Sequence, residues 1–279
     1  MNAPSIVTGR VGAPAGPPDT GHGPPPVVAP LRAVLVIAQR ELLKQARRPA
    51  MLLTQAVQLL FFVLVYGIGF DAMVGPVAGI GFGAYVYPGI IAIQVVSVGL
   101  TSGMSYAWDR EFGVLRELLV APVPRFCLPV GKVVATTGVV TVQSAALLAC
   151  CPLIGLPLTP GSFTAATAAF AGSAVLFATL GLLLAVAVER VQTVQAVVQL
   201  AMFPMLFLSG SVFHPGAVPG WMQVLIQLNP VTYTVDLVRQ LLLGSRLPGL
   251  AFAPVWVDVV VLAGLTLAIG TAVRLRVGR

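Results

Sequence analysis

Long stretches without a single charged residue constrain this chain's fold more than any other feature. Residues 49–70, 72–108, 133–188 and 191–235 are uncharged runs of 22, 37, 56 and 45 positions. A helix needs about 20 apolar residues to cross ~30 Å of hydrocarbon, so each run can hold at least one crossing. Only 9% of the residues are charged, where an average soluble domain has about 25%. Such a chain cannot cover a globule with a solvated surface. A soluble enzyme, a secreted disulfide scaffold and a disordered polymer are excluded, and an all-α integral membrane protein is expected.

Backbone breakers divide the runs into six spans. Residues 49–70 make the first. Gly75, Pro76, Gly79, Gly81 and Gly83 crowd the start of the next run, which predicts a loop or re-entrant piece before a second span from Tyr85 to Trp108. The segment Leu156-Pro157-Leu158-Thr159-Pro160-Gly161 splits the longest run into a third and a fourth span. The fifth runs to Phe213, with Pro204 expected to kink it, and the sixth from Ala253 to Val273. Six crossings put both termini on one side. Of the 16 Lys and Arg residues, only Arg239 and Arg246 fall on the other side. The excess of basic residues predicts cytoplasmic termini.

Residues 1–30 contain eight Pro and five Gly without apolar periodicity, which predicts a disordered cytoplasmic tail ahead of a membrane domain over 31–279. No charged-then-apolar secretory signal precedes Leu31. Over Leu31–Arg48 an interfacial helix is expected, with Leu31, Val34, Leu35, Ala38 and Leu42 on one stripe and Arg32, Arg40, Lys44, Arg47 and Arg48 pointing away. The plainer alternative is a charged lead into the first span. Gly99 and Gly103 in the second span, and Ala165, Ala169 and Ser173 in the fourth, have the spacing of close helix contacts. Cys127, Cys150 and Cys151 are odd in number and lack CxxC spacing, so they are read as packing residues.

Groups that carry chemistry are scarce. The two histidines, His22 and His214, lie in a Pro/Gly tail and beside Pro215, and no HExxH, GxSxG or Cys/His cluster occurs. Gly131-Lys132 runs into Val133 without the upstream glycine of a P-loop. No catalytic residue, metal or cofactor is therefore expected in this chain. Asp258, just inside the outer end of the last span, is read as an interfacial residue beside Trp256 rather than an ion-coupling site. The net charge of +7 is spread in small clusters, which suits loops beside anionic lipid and not a nucleic-acid face. Fourteen Arg to two Lys in an Ala-, Gly- and Pro-rich chain is associated with high-GC bacterial genes.

Two regions stand out. Asp109-Arg110-Glu111-Phe112-Gly113-Val114-Leu115-Arg116-Glu117-Leu118-Leu119 is the one dense charged patch. Phe112, Leu115 and Leu119 share a face, which predicts a short cytoplasmic helix ended by Pro122 and Pro124. Asp109, Arg110, Glu111, Arg116 and Glu117 remain for water or a partner, and Gly113 permits close approach. A docking surface and a merely solvated loop helix both fit. Further on, Phe207-Leu208-Ser209-Gly210 precedes Asn229-Pro230, Tyr233, Asp236 and Arg239. Two short external or re-entrant helices are expected there, over Trp221–Leu228 and Val231–Leu243, with Asp236 and Arg239 spaced to pair.

Together these two regions, in this order, resemble the ABC-2 type permeases, and drug-resistance-type exporters are the branch they look most like. The resemblance spans Leu31 to Arg279. It implies the six-helix transmembrane half of an exporter, pairing with a second permease half, identical or related, and with two copies of a separate ATP-binding subunit that holds ATP and Mg. It implies a bacterial cell membrane location and a hydrophobic or amphipathic cargo such as a drug, lipid or glycan. Residues 109–119 would then be a coupling helix seated on the ATPase, and Phe203, Phe207 and Ser209 would lie along the substrate path. An ion-driven secondary transporter and a non-transporting scaffold subunit are the alternatives.

Overall fold

A computed structural model describes residues 30–47, 81–112, 126–188, 190–211, 218–244 and 251–277, with isolated positions between 53 and 69. The expected N-terminal tail and most of the expected first span lie outside the described residues. Among the described residues are eight α-helices and no strand. They are α1 (Pro30–Ala46), α2 (Phe82–Glu111), α3 (Cys127–Leu148), α4 (Pro160–Ala187), α5 (Val191–Phe207), α6 (Gly220–Leu228), α7 (Pro230–Leu243) and α8 (Val255–Val277). Helices α2, α3, α4 and α8 are long and apolar enough to cross a membrane. Helix α5 is shorter: it stops at Phe207, one turn after Pro204, and not at Phe213.

Local breakers set most boundaries where the sequence puts them. After α3 a 3₁₀ turn over Cys151–Ile154 ends on Gly155, whose φ of 76° favours glycine. Thr159 then caps α4: its hydroxyl accepts from the Ser162 amide at 3.2 Å, while the Thr159 amide donates to Ser162 Oγ at 3.1 Å. This reciprocal pair satisfies helix-end amides that have no intrahelical partner. Pro160, with its fixed φ and missing N–H, suits the first helical position. Helix α7 starts the same way, with Asn229 capping the Val231 amide at 3.0 Å and Pro230 following. Cys127 and Cys151 are fully buried and Cys150 partly so. Burial pushes the Cys151 thiol up to about 12, which keeps it protonated.

Helix α2 is the axis of the bundle, buried along nearly its whole length. At 30 residues it is about 45 Å long, more than a hydrocarbon core requires. Its closest neighbour is α4. A Cβ on Gly99 would lie 2.6 Å from the Phe177 Cβ, and one on Gly103 would collide with the Gly181 carbonyl. Ser102 Oγ donates across the same contact to the Ala178 carbonyl at 3.5 Å. The small-residue run farther up α4 meets a different helix: Thr234 Oγ1 of α7 donates to Ser173 Oγ at 3.0 Å. Helix α7 packs on α2, α4 and α8 and is buried on most of its surface, whereas α6 exposes Trp221, Val224 and Leu228.

Helix α1 corrects the expected stripe. Ala33, Val34 and Ala38 are buried against α3, but Leu31, Leu35 and Leu42 are exposed, Leu31 at 71%. Ile37, off the predicted stripe, is the residue that meets Gly131, where a Cβ would lie 2.6 Å from its Cγ2. A helix between protein and lipid has two apolar neighbours, and periodicity alone does not tell them apart.

Candidate functional site

The end of α2, the start of α3, the end of α4, the start of α5 and the end of α8 gather at one end of the bundle. Tyr106, Ala107, Leu182, Ala185, Val191 and Val273 form its apolar floor. Around that floor sit Arg110, Lys132, Arg190, Arg274 and Arg276, with α1 alongside. At the opposite end Arg239 is the basic residue among those described, and it is buried.

Lys132 is the centre of this charged end. It is the sixth residue of α3 and only 2% exposed. Its ammonium donates to Asp109 Oδ2 at 2.6 Å and to Ser105 Oγ at 2.8 Å, and lies 4.0 Å from Glu41 Oε2. Ser105 and Asp109 stand at i and i+4, so one face of α2 presents both to the lysine. Ser105 Oγ also donates to Glu41 Oε1 at 2.8 Å, and Lys44 lies 3.7 Å from the same oxygen. The cluster fastens α1, α2 and α3 together over the last two turns of α2. A buried ammonium is tolerable only with such charged and hydrogen-bonding partners.

Arg110 and Glu111 complete that last turn. Arg110 Nη2 donates to the Val188 carbonyl at 2.7 Å, satisfying the C-terminus of α4 with a cation, as a helix end prefers. Glu111 and Phe112 are exposed, Phe112 at 77%. Asp109, Arg110 and Glu111 therefore belong to α2 and not to a separate loop helix, because the hydrogen-bonded helix runs unbroken through them. Gly113, Arg116 and Glu117 lie outside the described residues, as does the rest of the expected helix to 119. The charged patch thus begins in the last turn of α2, with Asp109 and Arg110 turned to protein partners and Glu111 outward.

The C-terminal group of residues is brought together at the other end. Asn229 Nδ2 donates to the Met205 carbonyl at 2.8 Å, so the residue that caps α7 also holds α5. Thr232 Oγ1 donates to Ile226 at 2.7 Å, and Tyr233 OH to the Gln227 carbonyl at 2.8 Å. The expected Asp236–Arg239 pair does not form. Asp236 Oδ2 accepts from the Phe252 and Ala253 amides, each at 3.0 Å, and from Gln240 Nε2 at 2.9 Å. The Arg239 guanidinium instead stacks 4.0 Å over the Tyr85 ring and donates to the Gly210 carbonyl at 3.3 Å. Asp236 is drawn to two backbone amides that open the approach to α8, and Arg239 to an aromatic face on α2. Asp258, expected at the interface beside Trp256, is turned into the protein. It is 0% exposed, covered by α7, and shares Gln240 Nε2 with Asp236 at 3.2 Å.

Phe203, Phe207 and Ser209 do not converge. Both phenylalanines stand on the exposed face of α5, Phe203 at 69%. Ser209 is buried in the turn that ends α5, donating to the Leu206 carbonyl at 2.6 Å. Among the described residues no group of three His, Cys, Asp or Glu is placed to hold a metal ion. Sequence reasoning missed Glu41, Ser105 and Lys132. A signal for Glu41 was present: it lies seven residues after Val34, on the apolar face of a helix whose other charges point away.

Comparison with known proteins agrees with the family resemblance. The family described as ABC-2 type transporter matches residues 32–243. The putative transport permease ycf38 of Cyanophora paradoxa is 26% identical over 213 residues, covering 75% of this chain and 73% of the relative. The inner membrane transport permease YadH of Escherichia coli K12 is 25% identical over 197 residues, 69% of this chain and 75% of the relative. The probable multidrug ABC transporter permease YbhR of the same organism is 29% identical over 184 residues, 64% of this chain, which spans about half of that relative's length at 49%.

Proposed function

This chain belongs to the ABC-2 type transporter family, and from that premise we propose that it is the membrane-spanning half of an ATP-driven exporter, working with a separate ATP-binding subunit. The observation that carries this reading is the family match over residues 32–243. The tip of α2 adds a physical route: it ends on exposed Glu111 and Phe112, while Asp109 and Arg110 anchor it to α1, α3 and α4. A partner pressing on residues 111–119 moves α2 and, through Lys132, the helices fastened to it. Such a push does work only if the partner binds the two arrangements of the bundle with different strength. In this reading the charged end faces the cytoplasm, six spans cross the membrane, and two permease halves meet two ATPase subunits. The cargo is hydrophobic or amphipathic, and the name of the Escherichia coli relative, a probable multidrug permease, supports a drug-like molecule.

The test is charge reversal at the docking tip. Glu111→Arg with Glu117→Arg, in vesicles carrying both subunits, is expected to abolish ATP-driven tracer export while the amount of inserted chain stays at the wild-type level. Export at the wild-type rate in that double variant overturns the docking role.

A second reading, an ion-driven transporter, is favoured by Asp258, which is fully buried and whose Oδ1 has no hydrogen-bond partner. Buried carboxylates in membrane helices often mark ion pathways. Transport into vesicles given a proton gradient and no ATP, lost in Asp258→Asn, would replace the first reading. If transport is ATP-driven, neither the wild type nor Asp258→Asn is expected to transport in vesicles given the gradient alone.

A further inference from the structure

Helices α3 and α8 both pack on α4 but stand apart from each other, leaving a groove of about 840 Å³ between them. Val130 and Val134 of α3 form one wall, Gly270 and Arg274 of α8 the other, and Val175 and Leu182 of α4 the floor. Its lining is apolar apart from Thr137 and Thr179, partway along, and Arg274. The Thr179 hydroxyl is spent on the Val175 carbonyl at 2.6 Å, so it offers a ligand little. Arg274 lies in the last turn of α8, at the charged end of the bundle, and is exposed. Helix α8 spans about 34 Å, which sets this turn at the level where lipid headgroups begin.

We propose that this groove holds one anionic glycerophospholipid of the surrounding bilayer, with an acyl chain lying between α3 and α8 and the phosphate on Arg274. An apolar groove open to a bilayer fills with hydrocarbon, because neither water nor vacuum matches the contacts that a chain supplies. The charge pattern selects the headgroup. Among the described residues Arg274 is the sole charged side chain lining the groove, so a phosphate finds a cation there while the amine of a zwitterionic lipid meets no carboxylate among them. The guanidinium's planar donor fork suits phosphate oxygens. Gly270 keeps the wall open: a Cβ there meets nothing within 4 Å, so the space belongs to the groove and not to a neighbouring helix. The site needs only that the chain lies in a bilayer, and so stands apart from the ATP-driven reading.

The full chain, reconstituted in nanodiscs of equal phosphatidylglycerol and phosphatidylcholine and then re-extracted in mild detergent, tests the proposal by mass spectrometry of retained lipid. Wild type is expected to keep phosphatidylglycerol in preference to phosphatidylcholine. Arg274→Gln should retain about fivefold less, the loss of one interfacial cation's attraction. Gly270→Leu, which fills open space without touching another helix, should lose it as well, with its Tm unchanged. Equal retention of the two lipids by wild type overturns the proposal, as does full retention in either variant. Release of the lipid by Gly270→Leu alone, with Arg274→Gln as wild type, reduces the groove to a plain hydrocarbon seam and overturns the phosphate site.

Discussion

Lys132→Met is expected to destabilise the chain by about 3–5 kcal/mol, the usual cost of removing one partner from a buried ion pair. Methionine keeps the length of the side chain but takes away the one cation between Asp109 and Glu41, both carboxylates only 13% exposed. Glu41 would keep Lys44 at 3.7 Å and the Ser105 hydroxyl, while Asp109 would lose its ammonium partner. Denaturant unfolding in detergent measures the change. The double variant Lys132→Met with Asp109→Asn should recover a large part of the loss, since it removes the stranded charge along with its partner. A single variant that unfolds at the wild-type midpoint shows that the ammonium is hydrated and that this end of the bundle is not a closed cluster. Under the proposed function the same variant has a second signature. ATP hydrolysis by the partner continues while export falls, because the tip of α2 has lost its tie to α1 and α3.

Gly103→Leu is the second large effect, expected to cost about 3 kcal/mol or more, at or beyond the upper end of ordinary overpacking. The reason is what the new Cβ meets. It runs into the backbone carbonyl of Gly181, and since a Cβ position is fixed by its own backbone no rotamer relieves it, so α2 and α4 must separate along the contact. Helix association in lipid depends on this close approach, since lipid tails are as apolar as the helices themselves. Gly264→Leu on α8 is the control: a Cβ there meets nothing within 4 Å. Tm in detergent should drop sharply for Gly103→Leu and hardly move for Gly264→Leu. Equal Tm values for the two would mean that α2 and α4 do not cross at these glycines.

Much of the scaffold was legible because its signals are local. Leu156–Gly161 breaks the chain through Pro157, Pro160 and a threonine cap, and α4 begins within it, although α3 already ends at Leu148. Expected helices over Trp221–Leu228 and Val231–Leu243 are found over Gly220–Leu228 and Pro230–Leu243, because Asn229-Pro230 is both a cap and a first-turn residue. The Gly99/Gly103 pair pointed to a close contact, and the contact is there, against the Phe177–Gly181 turn of α4. The candidate site was read less well. Asp109 and Arg110 were expected to face a partner, yet one binds Lys132 and the other the end of α4.

Amino-acid order by itself determined where helices start and stop, which of them are apolar enough for a membrane, and that the basic residues gather toward one end. Those outcomes depend on caps, prolines and composition within a few neighbouring residues. Only the tertiary structure decided which faces are inside. Helices α4 and α8 are apolar all round, yet α4 is buried against five other helices and α8 is exposed along most of its length. The stripe on α1, the burial of Lys132 and the separate partners of Asp236 and Arg239 were decided the same way. In a chain that is oily on every side, hydrophobicity no longer distinguishes core from surface, and the choice passes to shape and charge pairing between residues far apart in sequence.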